Sequence, residues 1–279
     1  MNIAQLMDKN ALAINQLKLV YSEIAQRMLE RLDYTRLNPK MILDIGSGLN
    51  LDGVNLIGKY PKAKLVQLDC SLNMLKHYSL VKNSFLKRVL KYRHPALICA
   101  DANQLPITSQ TIDLVWSNLV LPYITNYEKF FKEIRRILTL GGAFFISGLG
   151  VDSLIQLREV GLKTHNFPDM HIIGDILVKL GFSDPVTDVE YLTLEYDDFK
   201  HLLMETKLVG CGSILNTTQQ YLNKDAFFAL EQKFAKLTQN GAIPLTLEIF
   251  YAHAWKDKVI VDLPQDKQIV QFKPNIKTS

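Results

Sequence analysis

Met41-Ile42-Leu43-Asp44-Ile45-Gly46-Ser47-Gly48-Leu49-Asn50 and Lys64-Leu65-Val66-Gln67-Leu68-Asp69 are the stretches that decide how this chain folds. The first is an apolar run that carries a carboxylate near its end and opens into a glycine-rich turn. The second is an apolar run that ends in a carboxylate. Short apolar runs bounded by turn residues fit strands buried in a parallel sheet. Glycines after such a strand let the backbone approach a ligand, and an acid at the end of the next strand accepts hydrogen bonds from ribose hydroxyls. Together they lay out a nucleotide-type cofactor site at the mouth of a sheet.

The same rhythm continues on both sides. Upstream, Leu17, Leu19, Val20, Ile24, Met28, Leu29 and Leu32 recur at helical spacing, which predicts an amphipathic helix pair over 11–33, ended by Asn38-Pro39. Downstream, a helix is expected over 51–59, and another over 71–81 with Ser71 as its N-cap. Strands follow at 96–100 and 111–118. A helix over 128–138 carries Phe131, Ile134, Ile137 and Leu138 on one face, and Gly141-Gly142 is expected to end it and open a strand over 143–147. Strands alternating with helices predict a doubly wound, mainly parallel sheet. The last two strands are placed at 182–195 and 245–256, the final one antiparallel. Helical patterns at 198–209 and 224–237 mark an insertion before it.

Composition narrows the class. The chain has 279 residues, 48% hydrophobic content and a formal charge of +4, all ordinary for a globular protein. No apolar run is long enough for a membrane span, and the N-terminus lacks the pattern of a signal peptide. Three cysteines, Cys70, Cys99 and Cys211, form neither a zinc spacing nor a disulfide framework. A cytoplasmic protein without a metal site is expected. The charge is uneven: 71–100 holds Lys76, Lys82, Lys87, Arg88, Lys91 and Arg93 with no acid. This stretch is either a solvated helix face or a docking surface for an acidic partner, and no nucleic-acid-binding module is recognisable.

The glycine turn selects among nucleotides. A dinucleotide fold needs a third glycine three residues after the second, where this chain has Leu51. An acid before Gly-x-Gly resembles the class I S-adenosylmethionine (SAM) methyltransferases, whose cofactor has no phosphate. That resemblance implies a Rossmann-like α/β fold with a seven-stranded, mainly parallel sheet. It places Asp44 near the amino-acid end of the cofactor, Gly46 and Gly48 in the turn, and Asp69 on the ribose. Asp101 and Ala102 fall at the adenine ring, and Asn118 falls where substrate meets the methyl group. Asn50 stands where the family usually has another glycine. Asparagine tolerates positive φ, and its side chain is expected at the methionine end.

The second half resembles malonyl-[acyl-carrier-protein] O-methyltransferase of biotin synthesis. The likeness spans about residues 40–256 and is carried by Ser117-Asn118-Leu119-Val120-Leu121, Ser147–Glu159, Asp169–Leu177, Leu180–Val186, Glu190–Tyr196 and Pro244–Tyr251. Two departures stand out besides Asn50. Pro122-Tyr123 replaces a usual tryptophan, and Tyr21 matches only loosely the tyrosine that ends an alanine-rich N-terminal stretch. The resemblance implies a free malonyl carboxylate as nucleophile, which is already ionised and needs no general base. Arg158 is the candidate for orienting that carboxylate as a two-pronged fork. The acidic carrier protein would give Lys82, Lys87, Arg88, Lys91 and Arg93 a partner. On this reading, 1–38 is a helical lid segment, 39–258 the catalytic domain with its insertion at about 197–244, and 259–279 a polar tail. Two alternatives stay open: a SAM-fold relative modifying a protein side chain, as the arginine-hydroxylating assembly factor of mitochondrial complex I does, or a non-catalytic SAM-fold scaffold.

Overall fold

The structure is a computed structural model describing residues 3–10, 17–80, 95–206, 224–238 and 240–257. Its centre is a seven-stranded sheet in the order β3-β2-β1-β4-β5-β7-β6. The strands are β1 (Met41–Ile45), β2 (Lys64–Asp69), β3 (Ala96–Cys99), β4 (Ile112–Ser117), β5 (Leu138–Leu149), β6 (Ser183–Tyr196) and β7 (Ile243–Lys256). The first five pair in parallel, and β7 runs antiparallel between β5 and β6. Chain order reverses between β1 and β4, so the crevice beyond their carboxyl ends is the topological switch point where such sheets bind ligands.

The helices are α1 (Ile3–Asn10), α2 (Lys18–Asp33), α3 (Gly53–Lys59), α4 (Leu72–Leu80), α5 (Tyr127–Ile137), α6 (Ile155–Glu159), α7 (Met170–Lys179), α8 (Phe199–Thr206) and α9 (Lys224–Ala235). They cover both faces of the sheet, which explains why β1 and β4 are mostly apolar: alternate residues enter opposite cores. Ile42, Leu114, Trp116 and Phe145 join α2, α8 and α9 in one core through Ile24, Met28, Phe199 and Phe234. Leu43, Ile45, Val115 and Phe144 join α5 and α7 in the other through Phe130, Phe131, Ile134, Ile173 and Leu177. The start of α5 is fixed by Asn126, whose side chain accepts from the Lys129 N–H at 2.9 Å.

Several boundaries differ from the sequence reading. The N-terminal helix pair is α1 and α2, so its first member lies before residue 11. Helix α5 stops at Ile137, and Leu138 already pairs with Ile112. The pairing is irregular before it resumes at Ala143 with Leu114, so Gly141 and Gly142 lie within β5. Gly141 adopts φ +78° there. The insertion helices are α8 and α9, and residues 207–223 between them lie outside the described residues, as do Lys82, Lys87, Arg88, Lys91 and Arg93 of the expected basic stretch and the tail from 258.

Helix α2 is held to the far edge of the sheet by charge. Arg31 reaches Asp188 at 2.5 Å and Glu190 at 2.7 Å, and Arg27 reaches Glu190 at 2.5 Å. The Arg31 guanidinium also lies 3.7 Å from the centre of the Tyr251 ring. This clamp fixes the helix whose first turns reach the switch point.

Candidate functional site

A cavity of about 620 Å³ opens at the carboxyl ends of β1–β4, within the size range of small-molecule sites. Its wall runs from Cys99, Ala100, Asp101, Ala102 and Asn103 after β3, past Asp69 and Cys70 after β2, to Gly46, Ser47 and Gly48 after β1. It ends at Asp52, Asn118 and Tyr21, with Met7 of α1 at the rim.

The turn after β1 is shaped by close approach. Gly46 has φ +70°, and a Cβ there would sit 1.9 Å from Val120 Cγ2. Gly48 has φ +50° and donates its N–H to Asp69 Oδ2 at 2.9 Å. Asp69 also accepts from the Ser71 N–H at 2.8 Å. Its pKa is raised by burial, while those two N–H groups favour the charged form. The carboxylate is thereby locked in orientation, with lone pairs left for a ligand.

Asn50 follows with φ +59°, the left-handed conformation expected of the missing glycine. Its side chain does not border the cavity. It turns beneath the loop, where Oδ1 accepts from Gln67 Nε2. The same nitrogen donates to Asp44 Oδ2 at 3.1 Å. A Cβ on Gly53 would strike Asn50 Oδ1 at 2.0 Å, so Gly53 is the small residue that makes room for Asn50. Asp44 likewise lies under the floor, 2% exposed. Burial, and then the neighbouring Asp52, push its pKa well above the carboxylate range.

At the β4 end, Asn118 donates to the Tyr21 carbonyl at 3.0 Å and accepts from Ser147 Oγ at 2.8 Å. It thus joins α2, β4 and β5 at the cavity wall. Tyr123, in a short 3-10 turn over Leu121–Tyr123, lines the cavity in the region of the departure from the expected tryptophan. Helix α1 is drawn to the rim by Asp8, which accepts from Ser71 Oγ at 2.5 Å and from the Asn73 N–H at 3.0 Å.

Of the residues singled out in the sequence, Gly46, Gly48, Asp69, Asp101, Ala102 and Asn118 share the cavity wall; Asp44 and Asn50 lie beneath it. Arg158 does not line it. It sits on α6, beyond the carboxyl end of β5, donating to the carbonyls of Ser153 at 2.7 Å and Val151 at 2.8 Å. Among the described residues it has no ion-pair partner. The sequence reading passed over Ser47, Asp52, Cys70 and Cys99. The cysteines follow or end strands β2 and β3, a position that itself points to the site, and Ser47 stands between the two turn glycines. Asp52 had no local signal, because its partners come from β4.

The cavity suits SAM. Ser47 lines the cavity, and its Oγ is buried with no hydrogen-bond partner in the protein. The wall contains carboxylates and no lysine, arginine or histidine among the described residues, as a cationic ligand requires.

Comparison with known proteins agrees. Residues 43–146 match the family described as a methyltransferase domain. A malonyl-[acyl-carrier protein] O-methyltransferase of Gallionella capsiferriformans is 38% identical over 244 residues, 84% of this chain and 83% of its own length. One from Methylovorus is 34% identical over 279 residues, covering 98% of this chain and 94% of its own. Among solved structures, the YcgJ protein of Bacillus subtilis superposes with a TM-score of 0.59 at 15% identity, covering 84% of this chain and 99% of that one. A phosphoethanolamine N-methyltransferase of Haemonchus contortus, solved with S-adenosylhomocysteine, gives 0.57 at 19% identity over 92% of this chain and 61% of its own. These likenesses establish the fold. No helix of the described residues is long and apolar enough to cross a membrane.

Proposed function

Because the chain belongs to the malonyl-[acyl-carrier protein] O-methyltransferase family, we propose that it methylates the free carboxylate of a malonyl thioester on an acyl-carrier protein, an early step of biotin synthesis. The observation that carries this reading is full-length relatedness to enzymes of that name combined with a cation-compatible cavity at the switch point. SAM, when bound, supplies an electrophilic methyl group, so that a carboxylate oxygen forms the new C–O bond and the C–S electron pair leaves on sulfur.

The protein's work is positioning, which can contribute many kcal/mol to a barrier. The glycine turn brings backbone close to the ligand, and Asp69 holds the ribose. Asp101 and Ala102 flank the adenine, while Asp44 and Asn50 support the turn from below. Asn118 fixes the wall where the methyl group is presented. Opposite charges cancel as the reaction proceeds, so a water-poor site favours it. The N-terminal segment 1–38 and the insertion at 197–244 act as the lid that excludes water. Support for this comes from α2, α8 and α9 sharing one core.

Arg158 orients the malonyl carboxylate. Its guanidinium is steadied by carbonyl groups and forms no ion pair among the described residues. Lys82, Lys87, Arg88, Lys91 and Arg93 form the docking surface for the acidic carrier protein.

The test compares initial rates on malonyl- and acetyl-loaded carrier protein, followed by release of S-adenosylhomocysteine. Turnover is expected with the malonyl form alone. Equal turnover on the acetyl form, which has no free carboxylate, overturns the reading.

A further inference from the structure

Asp52 is a buried acid that the reaction described above does not use. It is 7% exposed and borders the cavity. It stands at the N-cap position of α3, yet its side chain makes no capping hydrogen bond. Instead Oδ2 accepts from Trp116 Nε1 at 2.9 Å, and the Asn118 amide also faces it. Both partners are neutral. Behind Asp52 lies Asp44, which accepts from the neutral amide of Gln67. A buried carboxylate without a counter-cation is costly. Accordingly, burial pushes Asp52 up to about 6. A protein keeps such a group where a ligand brings the missing positive charge.

The sheet order says which part of the ligand that is. From β3 through β2 and β1 to β4 is three strand spacings, about 14 Å, matching the length of an extended adenosyl amino acid. Asp101 follows β3, Asp69 ends β2, and Asp52 touches β4 through Trp116. Adenosine at the β3–β2 end leaves the amino-acid end beside Asp52. Ser47, between the two turn glycines, lines the same cavity. A metal ion is the poorer fit: among the described residues no three His, Cys, Asp or Glu side chains converge as a metal site needs.

We infer that Asp52 binds the ammonium group of the cofactor's amino-acid end. This rests on the reading that the cavity takes SAM. It adds a binding residue outside the glycine turn, one whose ionisation links cofactor affinity to pH.

Calorimetry on the whole protein separates the possibilities, using S-adenosylhomocysteine and methylthioadenosine, which keeps adenosine and sulfur but lacks the amino-acid end. Asp52→Asn is expected to weaken S-adenosylhomocysteine about tenfold or more, the scale of a lost charge-assisted hydrogen bond, and to leave methylthioadenosine within about twofold. Unchanged S-adenosylhomocysteine affinity, or equal loss of both ligands, overturns the assignment while leaving the cofactor reading intact. A wild-type protein that binds neither ligand overturns both. The wild type alone gives a second test. Ionised Asp52 is needed, and it is faced by Asp44 of β1 and by Trp116 and Asn118 at β4. Affinity for S-adenosylhomocysteine should therefore fall as pH drops from 7.5 to 5, by about tenfold, while methylthioadenosine stays flat. A flat S-adenosylhomocysteine profile overturns the proposal even where the variant does not fold.

Discussion

Replacing Gly46 by alanine tests the geometry of the cofactor turn in a way that can be calculated beforehand. Two costs arise. The residue has φ +70°, and an L-residue held in the left-handed region costs about 1–2 kcal/mol. The added Cβ would meet Val120 Cγ2 at 1.9 Å, an overlap that must displace the β4 loop and costs about 1–3 kcal/mol on the scale of overpacked cores. The sum is about 2–5 kcal/mol of unfolding free energy. The next atom in the way is Val120 Cβ at 3.3 Å, so truncating Val120 to alanine removes the clash and leaves the backbone strain. Urea unfolding of the wild type, Gly46→Ala, Val120→Ala and the double variant completes a thermodynamic cycle. The double variant should be more stable than the sum of the single losses by about 1–3 kcal/mol. Additivity to within about 0.5 kcal/mol would refute the claim that the loop after β4 presses on the turn.

Asp52→Asn should raise the melting temperature of the ligand-free protein above pH 6 even as it weakens ligand binding. Burial raises the folded-state pKa of Asp52 from 3.8 to about 6, so the folded protein binds more protons than the unfolded chain across that window. Its contribution to stability is present below about pH 4 and is lost as pH rises through 6. A variant no more stable than wild type at pH 7.5 contradicts this. Arg158→Gln should raise the KM for malonyl carrier protein about tenfold and leave the affinity for S-adenosylhomocysteine unchanged; a malonyl KM equal to wild type rules out the orienting role. Charge reversal at Lys87, Arg88 and Lys91 should raise the carrier-protein KM and reduce its dependence on salt. Kinetics identical to wild type would remove the docking surface.

The central strands were legible because each is a short apolar run closed by a turn, and burial on both faces leaves no other reading for β1, β2 and β4. Six of the positions that line the cavity were legible for a related reason: residues at the carboxyl ends of parallel strands converge wherever chain order reverses. What escaped depends on distant partners. The direction of the Asn50 side chain is set by Gln67 on β2 and by the space that Gly53 leaves; local sequence offers only the tolerance of asparagine for positive φ. Asp52 is oriented by Trp116 on β4, which no pattern around residue 52 announces. Helix α1 was missed because the periodic apolar signal begins only at Leu17. Its place is fixed instead by Asp8 bonding to Ser71 and Asn73 at the start of α4.

The claim at the centre of this account is the chemical position of the transferred methyl group. Incubating the protein with tritium-labelled SAM and malonyl carrier protein, then cleaving the acyl-bearing arm from the carrier and identifying the labelled fragment by mass spectrometry, measures it directly. The account predicts label in a malonyl methyl ester on the arm and none in the carrier polypeptide. Label in the polypeptide, or none in either while SAM is bound, would contradict it.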